Sequence, residues 1–530
     1  MRGMLVALVL LLIFGSAFGY YLYRSLRPYY LHLEIKTIPE EVPATTGLLS
    51  FISKKRKDNF SRFLYKLSRL EKDRRFRGLY LDLSSYAMNL SQSWELREIL
   101  RRLRDSGKKI LCYAHSYREP AYFLATVCDR VYMAPGGVVE VPGVLSQNFY
   151  FRELFDSLHI EPQFIHREEY KSAVEPFTRR EPSQYDREQR KRLLEIYYNN
   201  LIASIRDRGN VEADEIVNDY GFLYGREALE AGLVDDLIYL DRMEDILKEE
   251  FGKAAKKKTI PAQRGPVLAF KKVAVVVANG PIVEEDTHNF FKGTTTVGTG
   301  LAKTLRSLRK DKKVAAVVLR VNSPGGSALT SDIIAHEIKE LAKEKPVIIS
   351  MGFVAASGGY YISAYGNRIF LNPLTITGSI GVLFGKLAME GFFRDKLHVN
   401  PYIMKEGDLA DAFSIKPVDE KGLERFNKLI DEIYQDFLRV VSEGRGMPID
   451  SVRKIAKGRI WVGEDAINVG IADTIGSIVD AIEYAKQKAG RARVVFVRRK
   501  YKANFDWMSL LSFTRTGLYM IDFRFLFSHQ

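Results

Sequence analysis

A serine and a lysine from different halves of the chain could together supply a nucleophile and its base. Ser357 lies in Ala-Ala-Ser-Gly-Gly-Tyr-Tyr, and Lys171 lies in Tyr-Lys-Ser-Ala-Val-Glu-Pro. A serine hydroxyl is a weak nucleophile until a base takes its proton, and a neutral lysine can be that base. Each residue alone has a plainer interpretation, because Ser357 could cap a helix and Lys171 could lie on the surface.

The two halves of the chain repeat each other, and each half keeps one member of this pair. Residues 128–135 match 366–373, and residues 225–235 match 463–473, both at an offset of 238. A repeat this long indicates a duplicated domain in which each copy buries its own core.

At the offset of 238, Glu119 stands in the first copy where Ser357 stands in the second. At an offset of 239, Ala410 stands where Lys171 does. Each copy therefore lacks one of the two groups, and the pair can form only if the copies cooperate.

Glycines and a second serine lie near these residues in the predicted fold. Gly325 and Gly326 follow a predicted strand, and Gly358 follows Ser357, so their N–H groups could stabilise an oxyanion. Ser379 lies 22 residues beyond Ser357 and could orient a lysine amine by hydrogen bonding. Taken alone, the glycine motif is more typical of a plain turn, and Ser379 could equally be a turn serine.

Histidines and cysteines give weaker signals. His398 belongs to a Leu-His pair that recurs at His159, which favours a structural role in both copies. Cys112 and Cys128 are expected to be buried free thiols, although a disulfide is possible in an oxidising compartment. No Cys, His and Asp cluster has metal-ligand spacing, so we expect no metal or cofactor.

The elements that must position these residues alternate between strand and helix. In the second copy, β-branched runs predict strands at 272–278, 314–321 and 346–350, a helix at 329–342, and a further helix from 355. The first copy repeats the pattern, and this order predicts an α/β fold with parallel strands and right-handed crossovers. Long helices are predicted at 186–208 and 419–444.

Composition and the N-terminus favour a membrane partner. The net charge is +15, which suits an anionic surface, and no zinc knuckle, helix-turn-helix pattern or arginine-rich arm predicts nucleic-acid binding. Residues 4–23 are uncharged and mostly apolar, long enough to span a bilayer, with a cleavable signal as the alternative. We place an anchor at 1–24, a first copy at 25–251, a linker at 252–270, a second copy at 271–490 and an aromatic-rich tail at 491–530.

With these motifs together, the chain resembles the signal peptide peptidase A family, in its long, duplicated bacterial form. The resemblance implies tandem Clp protease/crotonase-like domains, in which a parallel β-superhelix carries outer helices. It also implies that Ser357 is the nucleophile and Lys171 the base of a serine endopeptidase that degrades cleaved signal peptides and similar hydrophobic peptides. The implied assembly is a homotetramer, single-pass in the cytoplasmic membrane, with its catalytic domain on the extracytoplasmic side.

Two alternatives remain open from the sequence: a non-catalytic membrane scaffold and a crotonase-type enzyme that acts on acyl thioesters. The peptidase mechanism requires a lysine that is neutral near pH 7, which burial without a carboxylate partner can achieve. We therefore predict that neither Glu168 nor Glu169 pairs with Lys171.

Overall fold

The computed structural model describes residues 27–35, 41, 58–209, 211–258, 260, 270–289 and 294–504. The chain forms two compact units. The first unit draws on the first half of the chain, but the segment Val144–Asn200 belongs to the second unit. Lys171 therefore belongs by sequence to the first copy and by its contacts to the second unit.

The strands are β1 Tyr29–Glu34, β2 Phe76–Asp82, β3 Lys109–Ala114, β4 Tyr117–Arg118, β5 Arg130–Met133, β6 Val138–Glu140, β7 Glu161–His166, β8 Phe222–Tyr224, β9 Asp236–Leu237, β10 Lys256–Lys258, β11 Lys271–Asn279, β12 Thr287–Asn289, β13 Thr294–Thr295, β14 Val314–Ser323, β15 Val347–Ala356, β16 Arg368–Leu371, β17 Ile376–Gly378, β18 Leu383–Ala388, β19 Ile460–Val462, β20 Thr474–Ile475, β21 Ala492–Phe496 and β22 Lys502–Asn504. The α-helices are Phe60–Ser68, Leu90–Asp105, Glu119–Ala125, Arg152–Ser157, Glu175–Thr178, Gln184–Arg206, Ala213–Glu215, Gly225–Glu230, Met243–Phe251, Thr299–Lys310, Ala328–Glu344, Gly358–Tyr361, Glu420–Arg445, Ile449–Ala456, Glu464–Asn468 and Ile478–Ala489.

Each unit has a sheet built on six parallel strands, and these six strands have the same order in the two units. In the first unit the order is β10-β1-β2-β3-β5-β9. In the second unit, β21-β11-β14-β15-β16-β20 follows the same order, with β17 and β19 added beside the end of β15. The predicted duplication is therefore visible in the topology as well as in the sequence.

The central strands form where the sequence is richest in β-branched residues. Residues 273–278 of β11 and 316–321 of β14 are buried throughout, as expected for strands covered on both faces. The helix Ala328–Glu344 begins after Ser327, whose side chain accepts a hydrogen bond from the N–H of Thr330. These three elements closely match the predicted ones.

Other boundaries differ from the predicted ones. The strand β15 continues six residues past the predicted end, to Ala356, because its second half pairs with β17, and the helix after Ser357 is only four residues long. The predicted linker includes β10, and the predicted tail includes β21, which are edge strands of the two sheets.

Two sequence predictions concern residues at the ends of the chain. The predicted anchor at 1–24 lies outside the described residues, as does the tail beyond residue 504. Within the described ranges, no helix has the length and apolar character needed to cross a membrane.

Candidate active site

Ser357 occupies a tight junction between β15 and the helix Gly358–Tyr361. Its backbone has φ 52° and ψ −122°, a conformation that is costly for a residue with a side chain. The Ser357 N–H donates to the carbonyl of Gly378 at 2.9 Å, and the Tyr361 N–H donates to the Ser357 carbonyl at 2.9 Å. These bonds hold the strained turn and leave the partly exposed side chain of Ser357 available.

Lys171 brings its amine to the serine hydroxyl. Its Nζ lies 3.3 Å from Ser357 Oγ, 2.9 Å from Ser379 Oγ and 3.0 Å from the Ser379 carbonyl oxygen. The lysine is only 5% exposed. The structure therefore joins three predicted site residues that are up to 208 positions apart in the chain.

Two glycines leave room for the lysine side chain. A Cβ built on Gly458 would lie 2.7 Å from both Cβ and N of Lys171, and one built on Gly381 would lie 3.3 Å from Lys171 Cδ. Gly458 also has φ 71°, a conformation that L residues with side chains rarely adopt. A side chain at position 458 would therefore displace the lysine.

Burial lowers the pKa of Lys171 from 10.5 to about 7. Desolvation disfavours the ammonium form, and burial is the cause of this shift. Glu169 lies 3.9 Å from Lys457, and Glu168 lies near Tyr434. Among the described residues, neither glutamate pairs with Lys171, as predicted.

Ser379 holds the amine with two different oxygens. Its backbone has φ 51°, and its N–H donates to the carbonyl of Arg459 at 2.7 Å. This conformation presents both the hydroxyl and the carbonyl oxygen of Ser379 to Lys171 Nζ. Two acceptors fix the direction of the amine relative to Ser357.

The predicted oxyanion donors are close together, but they are not equivalent. The N–H of Gly325 donates to Ser323 Oγ at 3.2 Å and is therefore engaged within its own turn. For Gly326 and Gly358, no acceptor exists among the described residues. A Cβ built on Gly358 would lie 3.2 Å from the Gly326 nitrogen, so the backbones of these two glycines lie close together.

Gly325 has a different task from the one its N–H suggested. A Cβ on Gly325 would lie 2.8 Å from Ser357 Cβ and 2.6 Å from the Gly358 nitrogen. With φ 102°, Gly325 allows its turn to approach the serine junction closely.

The positions that match these site residues in the opposite copy carry different residues and form no such site. Glu119 begins the helix Glu119–Ala125, and burial raises the pKa of its carboxyl group to about 7. At the offset of 238, Ala87 and Met88 replace the glycines 325 and 326, while Ala410 is exposed in a turn.

His398 has φ 54° and is exposed, and its counterpart His159 has φ 55°. The shared left-handed conformation agrees with the structural role predicted for both. Cys112 and Cys128 are buried free thiols, as expected.

Sequence reasoning missed a group of residues behind Lys171, chiefly Gln189, Asp186 and Gly458. Gln189 Nε2 donates to Ser172 Oγ at 2.7 Å, and Ser172 Oγ donates to Asp186 Oδ1 at 2.6 Å. Glutamine and aspartate in the first turns of a helix are ordinary surface residues by pattern, so the local sequence carried no signal for them.

Potential metal ligands come together at one place in the described part of the chain. His32, Glu34 and Asp82 lie at the carboxyl ends of β1 and β2, and their ligand atoms are within 4.8 Å of one another. This group belongs to the first unit and shares no residue with the serine–lysine site.

The chain matches the sequence model of peptidase family S49 twice, over residues 102–253 and 339–491. It belongs to peptidase family S49. Protease 4 of Haemophilus influenzae is 32% identical to it over 80% of this chain and 72% of that protein. The chloroplastic serine protease SPPA of Arabidopsis thaliana is 31% identical over 79% of this chain and 64% of that protein.

A shorter relative matches part of the chain. A protein of Enterococcus faecium, provisionally named signal peptide peptidase SppA, is 36% identical over 41% of this chain and 64% of its own length. Together with the family match, these relatives identify the chain as a serine peptidase.

Proposed function

We propose that this S49 peptidase cleaves hydrophobic peptides, such as signal peptides, through an acyl-enzyme formed on Ser357 with Lys171 as the base. One observation carries the proposal: a buried lysine amine, with a pKa of about 7 and no carboxylate partner among the described residues, lies 3.3 Å from the serine hydroxyl.

In the first step, the neutral amine of Lys171 accepts the proton of Ser357 Oγ while Oγ attacks the carbonyl carbon of the peptide bond. The new C–O bond makes a tetrahedral intermediate, and the carbonyl oxygen becomes an oxyanion. The lysine ammonium then gives its proton to the leaving amine as the C–N bond breaks. Ser379 orients Nζ for this transfer, because its hydroxyl and carbonyl oxygens both lie within hydrogen-bonding distance of the amine.

The N–H groups of Gly326 and Gly358 are the proposed oxyanion donors. Neither N–H has an acceptor among the described residues, and the backbones of the two glycines lie close together. One such donor contributes about 3–4 kcal/mol to the stability of the transition state. Gly325 supports this arrangement through its close approach rather than through its own N–H.

Deacylation reverses the roles with water as the nucleophile. Lys171, again neutral, takes a proton from water, the hydroxide attacks the ester carbon, and Ser357 Oγ leaves and recovers its proton from the lysine. A peptide that covers the site would exclude water and help to keep the amine neutral.

Hydrophobic signal peptides are the proposed substrates, because the sequence motifs resemble the signal peptide peptidase A family and a relative carries that name. The apolar run at 4–23 supports anchoring to the cytoplasmic membrane, with the catalytic part on the extracytoplasmic side. The same resemblance supports a homotetramer and a Clp protease/crotonase-like arrangement of each copy.

The test is hydrolysis of a fluorogenic, leucine- and alanine-rich peptide by the full chain in detergent, compared with Ser357→Ala and Lys171→Ala. Both variants are expected to lose at least about a thousandfold in kcat/KM, since each removes one partner of a unit that acts together. A serine-directed fluorophosphonate should add one adduct per chain to the wild type by intact mass, and peptide mapping should place that adduct on Ser357.

Lys386 provides a matched control for the loss of a buried lysine. It is 6% exposed and donates to the carbonyl oxygens of Ala412 and Ser414, with no role at the serine. Lys386→Met should lower stability but retain activity in the folded fraction. If Lys171→Ala remains as active as Lys386→Met, the base is another group and the proposal is wrong.

A further inference from the structure

Gln189 joins the segment that carries Lys171 to the strand beside Ser379. From the helix Gln184–Arg206, its Nε2 donates to the Tyr170 carbonyl oxygen at 3.3 Å and to Ser172 Oγ at 2.7 Å. Its Oε1 accepts from the N–H of Ile460 at 3.2 Å. One buried amide thus binds both neighbours of Lys171 and the first residue of β19.

The strand β19 and the residue before it are hydrogen-bonded to the segment that ends at Ser379. Ile460 pairs with Gly378 of β17, and the carbonyl of the preceding Arg459 accepts the N–H of Ser379. Gly458, two residues before β19, binds the next residue along: its N–H donates to the Ile380 carbonyl. A Cβ built on Gly458 would collide with Lys171. Gln189 therefore links the two neighbours of Lys171 to the segment 458–460. The same segment binds the backbone of Ser379, whose two oxygens accept the amine of Lys171.

The helix that carries Gln189 is itself held in place. Its apolar face packs Leu193 against Ile376 and Val462, and Tyr197 donates to the Leu374 carbonyl at 2.8 Å. Such packing limits the movement of Gln189 relative to β17 and β19.

The hydrogen bonds around Gln189 position Lys171 without placing an uncompensated charge beside it. The Asp186 side chain is 1% exposed and lies 2.6 Å from Arg190, so its charge is compensated locally. The other charged groups on the segments around the lysine also have partners: Lys457 with Glu169, and Arg459 with Glu188 at 2.9 Å. This agrees with burial being the cause of the lowered pKa of Lys171.

We propose that Gln189 is a positioning residue, which holds residues 170–172 against β19 so that the amine of Lys171 stays buried and directed at Ser357. Ser172 and Asp186 complete this device by fixing the orientation of the Gln189 amide. The inference rests on the proposed function, because it assigns Gln189 a role only if Lys171 is the base.

The test is Gln189→Met, which keeps the volume of the side chain and removes both its donor and its acceptor. We expect kcat of the full chain on the fluorogenic peptide to fall about 10- to 100-fold with little change in KM, because a displacement of about 1 Å has that effect on a catalytic group. In a pH profile, kcat/KM should fall on the acidic side as Lys171 becomes protonated. The pKa of this acidic limb should rise by about one unit in Gln189→Met, because water reaches Lys171. A purely structural loss would lower the active fraction without moving this limb.

Glu188→Gln is the matched control. Glu188 is the adjacent residue, and it contacts the same two segments from the outside, through Tyr170 Oη at 2.7 Å and Arg459. This variant should keep the wild-type acidic limb. If Gln189→Met also keeps the limb and kcat of the wild type, the positioning role is refuted.

Two further outcomes separate this inference from the proposed function. If Lys171→Ala is inactive while Gln189→Met behaves as wild type, only the role of Gln189 fails; if Lys171→Ala is active, the proposed function fails. If Gln189→Met does not fold, Ser172→Ala is the second variant, because it removes the hydroxyl between Gln189 and Asp186. It should raise the pKa of the same acidic limb, and an unchanged limb would refute the inference.

Discussion

Acid should switch the peptidase off near neutral pH, because its base is a buried lysine. With a pKa of about 7, about 90% of Lys171 is neutral at pH 8, whereas a lysine at 10.5 would be about 0.3% neutral. Burial therefore raises the active fraction about 300-fold at pH 8. The difference of 3.5 pKa units corresponds to about 5 kcal/mol of differential solvation between the two protonation states.

The assay is kcat/KM for the fluorogenic peptide from pH 5 to 9.5, since this quantity reports the ionisation of the free enzyme. We expect a plateau above pH 8 and a tenfold loss for each pH unit below about 7. Circular dichroism at each pH would show that the loss is not unfolding. A limb near 10, or a flat profile across this range, would refute the reasoning.

Glu119 makes a control necessary, because its carboxyl group also has a pKa of about 7. Glu119→Gln removes that titration and leaves Lys171 unchanged. The variant should show the same acidic limb as the wild type. If the limb disappears in Glu119→Gln, the titrating group is the glutamate rather than the lysine.

Three further predictions follow from the same geometry. Lys171→Met should remove a pH dependence of stability. The pKa of Lys171 is lower in the folded than in the unfolded wild type, so the unfolded protein binds one more proton between about pH 7 and 10.5. In urea titrations, the free energy of unfolding of the wild type should therefore rise relative to the variant by about 3 kcal/mol from pH 7 to 9.5. Gly458→Ala should abolish peptide hydrolysis in a folded protein, whereas Gly407→Ala, at φ 92° with nothing within 4 Å of the added Cβ, should keep it; equal activity of the two variants would contradict the contact argument. Ser379→Ala should lower kcat about tenfold through loss of one hydrogen bond to the amine, worth about 1 kcal/mol or more, with KM unchanged; a changed KM and constant kcat would place Ser379 in substrate binding instead.

Local sequence predicted the elements that carry the site better than their ends. The valine-rich runs of β11 and β14 predict buried strands because such residues suit a sheet covered on both faces, and both strands are present. The end of β15 was missed by six residues, because pairing with β17 decides it rather than propensity. The sequence placed β10 in the linker and β21 in the tail, whereas the structure pairs these short edge strands with β1 and β11.

The roles proposed for Ser357 and Lys171 came from the repeat and from the family resemblance, and the geometry of the pair came only from the fold. By itself, the sequence determined that the domain is duplicated and that each copy keeps one of the two groups. Only the tertiary structure decided that Val144–Asn200 belongs to the second unit and that the amide of Gln189 binds both neighbours of Lys171. It also decided that the N–H of Gly325 is engaged, whereas that of Gly326 has no acceptor among the described residues. The physical reason is that a lysine becomes a base through burial and through hydrogen bonds to residues far along the chain, and neither is encoded in the residues beside it.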